Sequence, residues 1–259
     1  MSETILVKKE NGVAVLTLNR PKAFNSFNRE MAFALIEALK NCAKEEEIRA
    51  IVLTGAGRAF CAGQDLKEAT EDNGVSFEMI LNEHYNPIVK LIRTLKKPIV
   101  AAINGVAAGA GANIAFACDM TIAKSTASFT QAFSKIGLVP DSGGTFFLPR
   151  LVGLQRATAM MMLSNKITAQ EAVDMGLIYQ CVEEADFEST VTKLANKLAK
   201  MPTKALGMTK ELINAGLTND LNAQLDMEGS YQIEVSESYD YQEGVNAFLE
   251  KRKPEFKGK

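Results

Sequence analysis

Two glycine-rich turns between residues 99 and 150 carry the residues best suited to chemistry. The first contains Gly109 and Gly111 among alanines, and a residue without a Cβ lets the backbone approach another group closely. If a helix begins after Gly109, as the run 110–117 predicts, its first amides have no partner inside the helix and point outward. We therefore expect this turn to bind a negatively charged oxygen.

The second turn places one carboxylate, Asp141, between Pro140 and the sequence Ser142-Gly143-Gly144. Proline fixes the backbone on one side, and Ser-Gly-Gly is typical of the start of a helix on the other. A carboxylate held there could face the amides of the first turn. However, an aspartate before Ser-Gly-Gly is also an ordinary turn or N-cap residue, and glycine-alanine runs also occur where helices pack closely. Local sequence leaves both interpretations open.

Apolar periodicity predicts an alternation of strands and helices that positions these turns. Asn11-Gly12 between two alternating apolar runs predicts a β-hairpin. Helical spacing over 29–44, followed by an apolar run at 50–54, predicts a parallel strand pair with a helical crossover. Further buried strands are predicted at 99–104, 120–124 and 177–182. Further helices are predicted at 76–95, 154–163, 187–200, 204–215, 221–236 and 241–251.

Composition argues against several classes of protein. The 259-residue chain is 47% hydrophobic with a net charge of −2, so it can bury a proper core and offers no basic surface for nucleic acid. The sequence shows neither a leader pattern nor a long apolar span, so we expect a cytoplasmic protein without a membrane partner. Four cysteines without a C-x-x-C pair indicate no metal site. The one histidine, His84, is interpreted as a packing residue.

Four motifs occur in order along the chain and identify a family. They are NRPKAFN at 19–25, FCAGQDLK at 60–67, the segment from Lys97-Pro98 through the glycine-alanine turn to Cys118-Asp119, and GLVPDSGGTFFLPR at 137–150. A dinucleotide-binding fingerprint is excluded, because Phe60 and Ile114 stand where its third glycine would be. Together, the motifs resemble the crotonase (enoyl-CoA hydratase/isomerase) superfamily from end to end of the chain.

The resemblance implies an α/β fold of the crotonase type. A spiral of βαβ units with the acyl-CoA site would occupy residues 1–200, and a C-terminal helical region that makes trimer contacts would occupy 201–259. The assembly implied is a homotrimer or a hexamer made of two trimers. The implied ligand is an acyl-CoA thioester, in which coenzyme A is part of the substrate, and no separate cofactor or metal is expected.

The resemblance also assigns roles to residues. In the family two backbone amides hold the thioester oxygen, and these map onto Gln64 and Ala110, in agreement with the helix-end argument. The residues implied to bind coenzyme A are Lys22, Ala62, Leu66, Lys67 and Lys257. The last of these belongs to a tail expected to complete the site of a neighbouring subunit. Without the motifs, the lysines would be interpreted as solvated surface residues.

The carboxylates distinguish the branches of the family. The two glutamates of the hydratases align here with Asn113 and Phe133, neither of which can be a general acid or base. Asp141 stands at the position that several isomerase and dehalogenase branches use, and a dry pocket would raise its pKa toward neutrality. Four phenylalanines could supply the wall of that pocket, although two of them are expected to be plain core: Phe129, Phe133, Phe146 and Phe147.

Segments 132–141 and 240–256 most resemble the isomerases of phenylacetate breakdown. These enzymes convert ring-1,2-epoxyphenylacetyl-CoA to oxepin-CoA and can shift double bonds in unsaturated acyl-CoAs. The resemblance therefore implies an acyl-CoA isomerase with Asp141 as its base. An enoyl-CoA hydratase of fatty-acid oxidation and a non-catalytic CoA-ester or RNA-binding relative remain as alternatives. An aryl-CoA dehalogenase is disfavoured, because the chain has no tryptophan.

Overall fold

The larger of two sheets begins with the predicted hairpin. In the computed structural model, which describes residues 3–70 and 76–259, β1 (Ile5–Glu10) and β2 (Val13–Leu18) pair antiparallel. Asn11 and Gly12 connect them with φ angles of 52° and 77°. Two successive positive φ angles are what a type I′ turn requires. The hairpin predicted from Asn-Gly is therefore confirmed.

Four more strands extend this sheet, each parallel to its neighbour, in the order β1-β2-β3-β5-β7-β10. The added strands are β3 (Ala50–Gly55), β5 (Ile99–Ile103), β7 (Met120–Lys124) and β10 (Gln180–Val182). Alternate residues of β3 face opposite sides, so that Ile51 and Leu53 join one core cluster whereas Ala50 and Val52 join another. Burial on both faces explains why these strands are continuous apolar runs.

The second sheet grows in step with the first. It contains β4 (Ala59–Cys61), β6 (Val106–Ala108), β8 (Ser128–Thr130) and β9 (Ile167–Thr168), of which the first three are parallel and β9 is antiparallel. The chain passes from β3 to β4, from β5 to β6 and from β7 to β8. Each pass adds one strand to each sheet, so the chain advances as a spiral of repeated units.

Helices cover both faces of the larger sheet. α1 (Arg29–Lys44) is capped by Asn28, whose side chain accepts a hydrogen bond from Met31 N. The apolar stripe of α1 is buried in the first cluster. The other helices are α2 (Leu66–Thr70), α3 (Phe77–Met79), α4 (Asn86–Thr94), α5 (Ala110–Ala117), α6 (Gly144–Val152), α7 (Leu154–Leu163), α8 (Ala169–Asp174), α9 (Phe187–Ala199), α10 (Thr203–Ala215), α11 (Leu221–Ser236) and α12 (Tyr239–Leu249). In the described part of the chain, none is long and apolar enough to cross a membrane.

The predicted helix at 76–95 is not uniform. Between α3 and α4, residues Ile80–Tyr85 form a π-helical turn, in which Asn86 N donates to Leu81 O five residues back. Pro87 explains the change, because proline has no amide proton and its ring clashes with the carbonyl four residues before it in a regular helix. The strand predicted at 177–182 is also shorter, because the amides of residues 177 and 178 donate to Ala172 O at the end of α8.

The first of the C-terminal helices, α10, lies against the spiral through largely buried polar contacts. Lys210 Nζ in α10 pairs with Asp119 Oδ2 at 2.9 Å. Arg93 Nε in α4 donates to Asn214 Oδ1 at 3.1 Å. Residue 200 lies in the short connection between α9 and α10, where the sequence places the boundary between two parts. The division at residues 200 and 201 stays a prediction.

Candidate active site

The first glycine-rich turn begins α5 beside the loop that follows β4. Gly109 has φ 52° and ψ −128°, a conformation that favours glycine, and its amide donates to Thr130 O at 2.9 Å. α5 begins at Ala110, whose amide has no partner inside the helix because of its position. A Cβ built on Gly63 would lie 3.2 Å from Ala108 O and 3.6 Å from Ala110 N. The two backbones are therefore in contact.

The Gln64 amide belongs to the loop that contacts the start of α5. Phe27 N donates to Gly63 O at 2.7 Å, and Asp65 N donates to Phe27 O at 2.8 Å. In such a parallel bridge, the residue between the two bonded ones directs its own amide to the other side. The Gln64 N–H thus points away from Phe27, toward the side on which β4 pairs with β6. The role of these two amides as an oxyanion hole stays a prediction.

Asp141 lies in the turn that leads into α6. Its carboxyl Oδ1 accepts a hydrogen bond from Ser142 Oγ at 2.8 Å. Burial raises the pKa of Asp141 above its ordinary value, and the Ser142 hydrogen bond opposes part of that rise. The N-cap of α6 is Gly143, so Asp141 does not have the capping role that local sequence left open. A partly buried carboxyl with a raised pKa is suited to take and return a proton.

The Asn113 side chain supports the turn that carries Asp141 through a hydrogen bond to its backbone. This side chain is fully buried, its Nδ2 donates to Asp141 O at 2.9 Å, and its Oδ1 accepts from Gln131 Nε2 at 2.7 Å. Ser164 Oγ donates in turn to Gln131 O. A Cβ on Gly144 would lie 2.4 Å from Asn113 Nδ2, so the turn packs directly on the amide. Asn113, which the resemblance aligns with a hydratase glutamate, is therefore a support for the turn.

The four candidate phenylalanines have different surroundings. Phe133 is 6% exposed, and a Cβ on Gly109 would lie 3.7 Å from its ring. Phe129 is fully buried in the main core. Phe146 and Phe147 contact each other edge to face on α6, with ring centroids 5.2 Å apart. Phe133 is thus the member of this set that packs against the first turn.

His84 is a core residue, whereas its neighbour Tyr85 contacts the candidate site. His84 is fully buried against Phe33, and its two ring nitrogens have no hydrogen-bond partner among the described residues. Burial lowers the pKa of His84, which keeps the ring neutral. The Tyr85 hydroxyl donates to Gln64 Oε1 at 2.9 Å. Sequence reasoning missed both Tyr85 and Gln131, because the residues next to each of them in the sequence give no sign of its distant partner.

Four of the residues predicted to bind coenzyme A surround the same loop. Lys22 lies on an exposed 3-10 turn, and Ala62 N donates to Phe24 O at 3.0 Å just after that turn. Leu66 and Lys67 begin α2 and are exposed. The structure therefore brings these four residues to the edge of the candidate site, and their binding role stays a prediction.

Lys257 lies elsewhere in the same chain. Its amide donates to Asp240 Oδ1 at 2.6 Å, and the carbonyl before it accepts from Arg49, the residue that precedes β3. The turn that carries Lys22 packs near the opposite end of β3, about 20 Å away by the length of a six-residue strand. A role for Lys257 in the site of its own chain does not fit this placement. The predicted role in a neighbouring subunit is not tested by a single chain.

Comparison with known proteins agrees with the geometry. A family model described as enoyl-CoA hydratase/isomerase matches residues 8–259. The chain belongs to this family. The enoyl-CoA hydratase of Bacillus anthracis, a solved structure with 35% sequence identity, superposes with a TM-score of 0.92 over 99% of this chain and 100% of that chain. The crotonase-type α/β fold predicted from the sequence is therefore confirmed.

Two curated relatives define the range of reactions. The chain is 47% identical over 262 residues to 1,2-epoxyphenylacetyl-CoA isomerase of Escherichia coli strain K12, covering 100% of both proteins. It is also 47% identical over 256 residues to a protein named "probable enoyl-CoA hydratase" from Rhodobacter capsulatus, covering 99% of this chain and 98% of that one. The protein is thus an acyl-CoA isomerase or hydratase of the crotonase superfamily.

Proposed function

We propose that this crotonase is an acyl-CoA isomerase that uses Asp141 as its base. Its proposed substrate is ring-1,2-epoxyphenylacetyl-CoA, which it converts to oxepin-CoA, and it also shifts double bonds in unsaturated acyl-CoAs. The isomerase of Escherichia coli, similar over the full length of both chains, supports this choice. Coenzyme A enters as part of the substrate, without another cofactor, and the enzyme works in the cytoplasm.

In the proposed reaction, one carboxyl moves one proton. Asp141 takes a proton from the α-carbon of the thioester, and the electron pair of that C–H bond delocalises onto the thioester oxygen. The amides of Gln64 and Ala110 donate to this oxygen, and each well-placed donor stabilises such a transition state by about 3 kcal/mol. Asp141 then returns the proton to another carbon of the chain or ring. The product is an isomer of the substrate, so no co-reactant is consumed.

The bonding of Asn113 carries the choice of isomerase over hydratase. Hydration needs a second carboxylate to activate water, and the family places one where Asn113 stands. Here both ends of the Asn113 amide are engaged, one with Asp141 O and the other with Gln131. Phe133 at the other glutamate position contributes only an apolar ring. Losing general acid and base together should lower hydration by about 10⁴-fold or more.

A spectroscopic screen of the purified protein tests the proposal. Crotonyl-CoA, a 3-enoyl-CoA and the epoxide thioester are supplied separately, and the absorbance of each substrate and product is followed. We expect the 3-enoyl-CoA and the epoxide to be isomerised and crotonyl-CoA to be hydrated slowly. Hydration at a rate typical of dedicated hydratases, without isomerisation, would favour the function named for the Rhodobacter relative.

Exposed apolar side chains on the last two helices support assembly into trimers or hexamers. α11 buries none of its 16 residues in the single chain, and it exposes Leu221, Leu225 and Ile233. Phe248 on α12 is 81% exposed. Unpartnered apolar helix faces of this kind mark protein interfaces. Light scattering after size exclusion should give three or six times the chain mass, and a monomer at micromolar concentration would contradict this assembly.

A further inference from the structure

The side chain of Gln64 is anchored at both ends. The Tyr85 hydroxyl oxygen donates a hydrogen bond to Gln64 Oε1 at 2.9 Å, and Gln64 Nε2 donates to Glu68 Oε2 at 3.3 Å. The backbone amide of this same residue is a proposed donor to the thioester oxygen. Any force that fixes the Gln64 side chain therefore also limits the movement of that amide.

Tyr85 is a rigid partner for this contact. It is fully buried, and its ring packs edge-on against Phe27 with centroids 5.7 Å apart. Phe27 in turn bonds the backbone on both sides of Gln64. The tyrosine is also the last residue of the π-helical turn, a rare element that is frequent at functional sites. Backbone and side chain of Gln64 are thus held from one direction by a packed Phe-Tyr pair.

Glu68 secures the other end of the amide. Both carboxylate oxygens of Glu68 accept from Arg29 N, at 3.0 and 3.1 Å, where α1 begins. An acidic group at a helix N-terminus is electrostatically favoured, which helps to keep this carboxylate in place. A hydrogen-bonded series therefore connects Tyr85, Gln64, Glu68 and the first turn of α1. Each member belongs to a different element, so the loop with Gln64 is braced on two sides.

We propose that Tyr85 is a positioning residue, whose hydroxyl fixes the Gln64 amide in the oxyanion hole through the Gln64 side chain. This inference rests on the proposed oxyanion role of that amide, and it holds for an isomerase or a hydratase. Oxyanion donors act only when they are aligned before the charge develops, and a shift of a fraction of an ångström weakens them. Burial raises the pKa of Tyr85 well above its usual value, so the hydroxyl remains a donor at working pH.

Replacing Tyr85 by phenylalanine keeps the ring but leaves Gln64 Oε1 without its donor. We expect Tyr85→Phe to lower kcat by about 10- to 100-fold and to leave KM within about 3-fold. The matched control is Tyr179→Phe, since Tyr179 is 62% exposed and outside the site. Equal and unchanged kcat in both variants would overturn the proposal.

A spectroscopic probe separates positioning from general structural damage. Binding of 4-hydroxycinnamoyl-CoA to the wild type should shift its absorption to the red, because the hole polarises the thioester carbonyl. Tyr85→Phe should bind the probe with similar affinity but shift it less, whereas Tyr179→Phe should match the wild type. This readout needs no turnover, so it remains valid if the proposed isomerisation fails. A wild type that binds the probe without any shift would overturn both the hole and the role of Tyr85.

A double-mutant cycle tests whether Tyr85 acts on the Gln64 amide through the Gln64 side chain. Gln64→Met keeps the backbone amide but removes the polar side-chain atoms that bond Tyr85 and Glu68. If Tyr85 acts through that side chain, adding Tyr85→Phe to Gln64→Met should change kcat and the red shift by less than about 2-fold. If the decreases in kcat caused by the two single substitutions multiply in the double variant, the two residues act independently and the proposal is overturned. If Tyr85→Phe does not fold, Gln64→Met alone must reproduce the reduced red shift, and a full shift in that variant is contrary evidence.

Discussion

The two halves of the candidate site are built in different ways. The half that would hold the thioester oxygen consists of backbone, namely the amides of Gln64 and Ala110 beside glycines that allow two loops to touch. The half that would move the proton consists of one side chain, Asp141, in a turn supported by the buried amide of Asn113. The first half depends on glycines, whose lack of a side chain lets the two loops come into contact. The second half depends on hydrogen bonds between buried polar groups.

This difference predicts opposite sensitivities to mutation. Added atoms should damage the backbone half, because a Cβ on Gly111 would overlap Cys61 and the positive φ angles of Gly63 and Gly109 disfavour any side chain. Removed polar atoms should damage the carboxylate half, because deleting the Asn113 amide leaves the buried Gln131 Nε2 without an acceptor. The following substitutions test the contrast in order of expected effect.

Asp141→Asn should have the largest effect on catalysis. The substitution keeps the volume and the possible hydrogen bond with Ser142 but removes the base. We expect kcat for isomerisation to fall by about 10²- to 10⁴-fold with little change in thioester affinity. Asp174→Asn is the matched control, since Asp174 at the end of α8 is exposed. Exchange of substrate α-protons with deuterated water at the native rate would rule out Asp141 and reopen the search for the base.

The same variant tests how the charge of the Asp141 carboxyl affects the stability of the fold. A folded-state pKa raised by burial means that Asp141 favours folding below its ordinary pKa of 3.8 and loses that contribution as pH rises through the raised value. At pH 7 the native aspartate is therefore a cost to folding that asparagine lacks. Urea unfolding at pH 7 should show Asp141→Asn to be more stable than the wild type, with the difference vanishing in acid. A less stable variant would contradict the burial argument.

Gly111→Ala should be the most damaging change in the backbone half. A Cβ there would lie 2.5 Å from Cys61 O and 2.7 Å from Cys61 Sγ, so α5 and β4 would have to separate. We expect a loss of about 1–3 kcal/mol in the free energy of unfolding and about 10²-fold in kcat, because Ala110 moves with α5. The control is Gly229→Ala in α11, where no described residue of the single chain lies within 4 Å. That change should stabilise the helix by about 0.5–1 kcal/mol. Similar changes in stability and kcat in both variants would contradict the expected sensitivity of the backbone half to added atoms.

Sequence predicted the local backbone conformations better than the long-range hydrogen bonds of the candidate site. The hairpin at Asn11-Gly12 and the helix start after Gly109 are local events, decided by which φ angles glycine and asparagine can adopt. The bonds from Gln131 to Asn113 and from Tyr85 to Gln64 join residues 18 and 21 positions apart, and neither partner carries a sign of the other. The π-helical turn was hidden for a related reason, since a proline inside a helical period allows either a break or a wider turn.

Asn113→Ala should have an intermediate effect, confined to the carboxylate half. It removes one of the two donors to Asp141 O, the other being Gly144 N, and it leaves the buried Gln131 Nε2 without its acceptor. We expect a loss of about 1–3 kcal/mol in stability, and a decrease of about 10-fold in kcat as the turn loosens. The red shift of a bound chromophoric thioester should stay at the wild-type value, because the amide donors are untouched. Asn41→Ala on the exposed side of α1 is the control. A lost red shift in Asn113→Ala would show that the two halves are not separable.

Ser142→Ala should have the smallest effect, visible in the pH profile rather than in the maximal rate. Ser142 Oγ donates to Asp141 Oδ1, and this bond lowers the pKa of the carboxyl against the opposing effect of burial. Removing the hydroxyl should raise that pKa further, so the acid limb of kcat against pH should move to higher pH while the plateau stays close to the wild type. Ser142 has φ 50°, a strained angle for residues other than glycine, so Ser142→Gly provides a second variant that lacks the hydroxyl but relieves the backbone. Equal displacement of the limb in both variants would assign the effect to the hydrogen bond. A displacement in Ser142→Ala alone would assign it to the backbone of the turn, and the pKa of Asp141 would then depend on burial only.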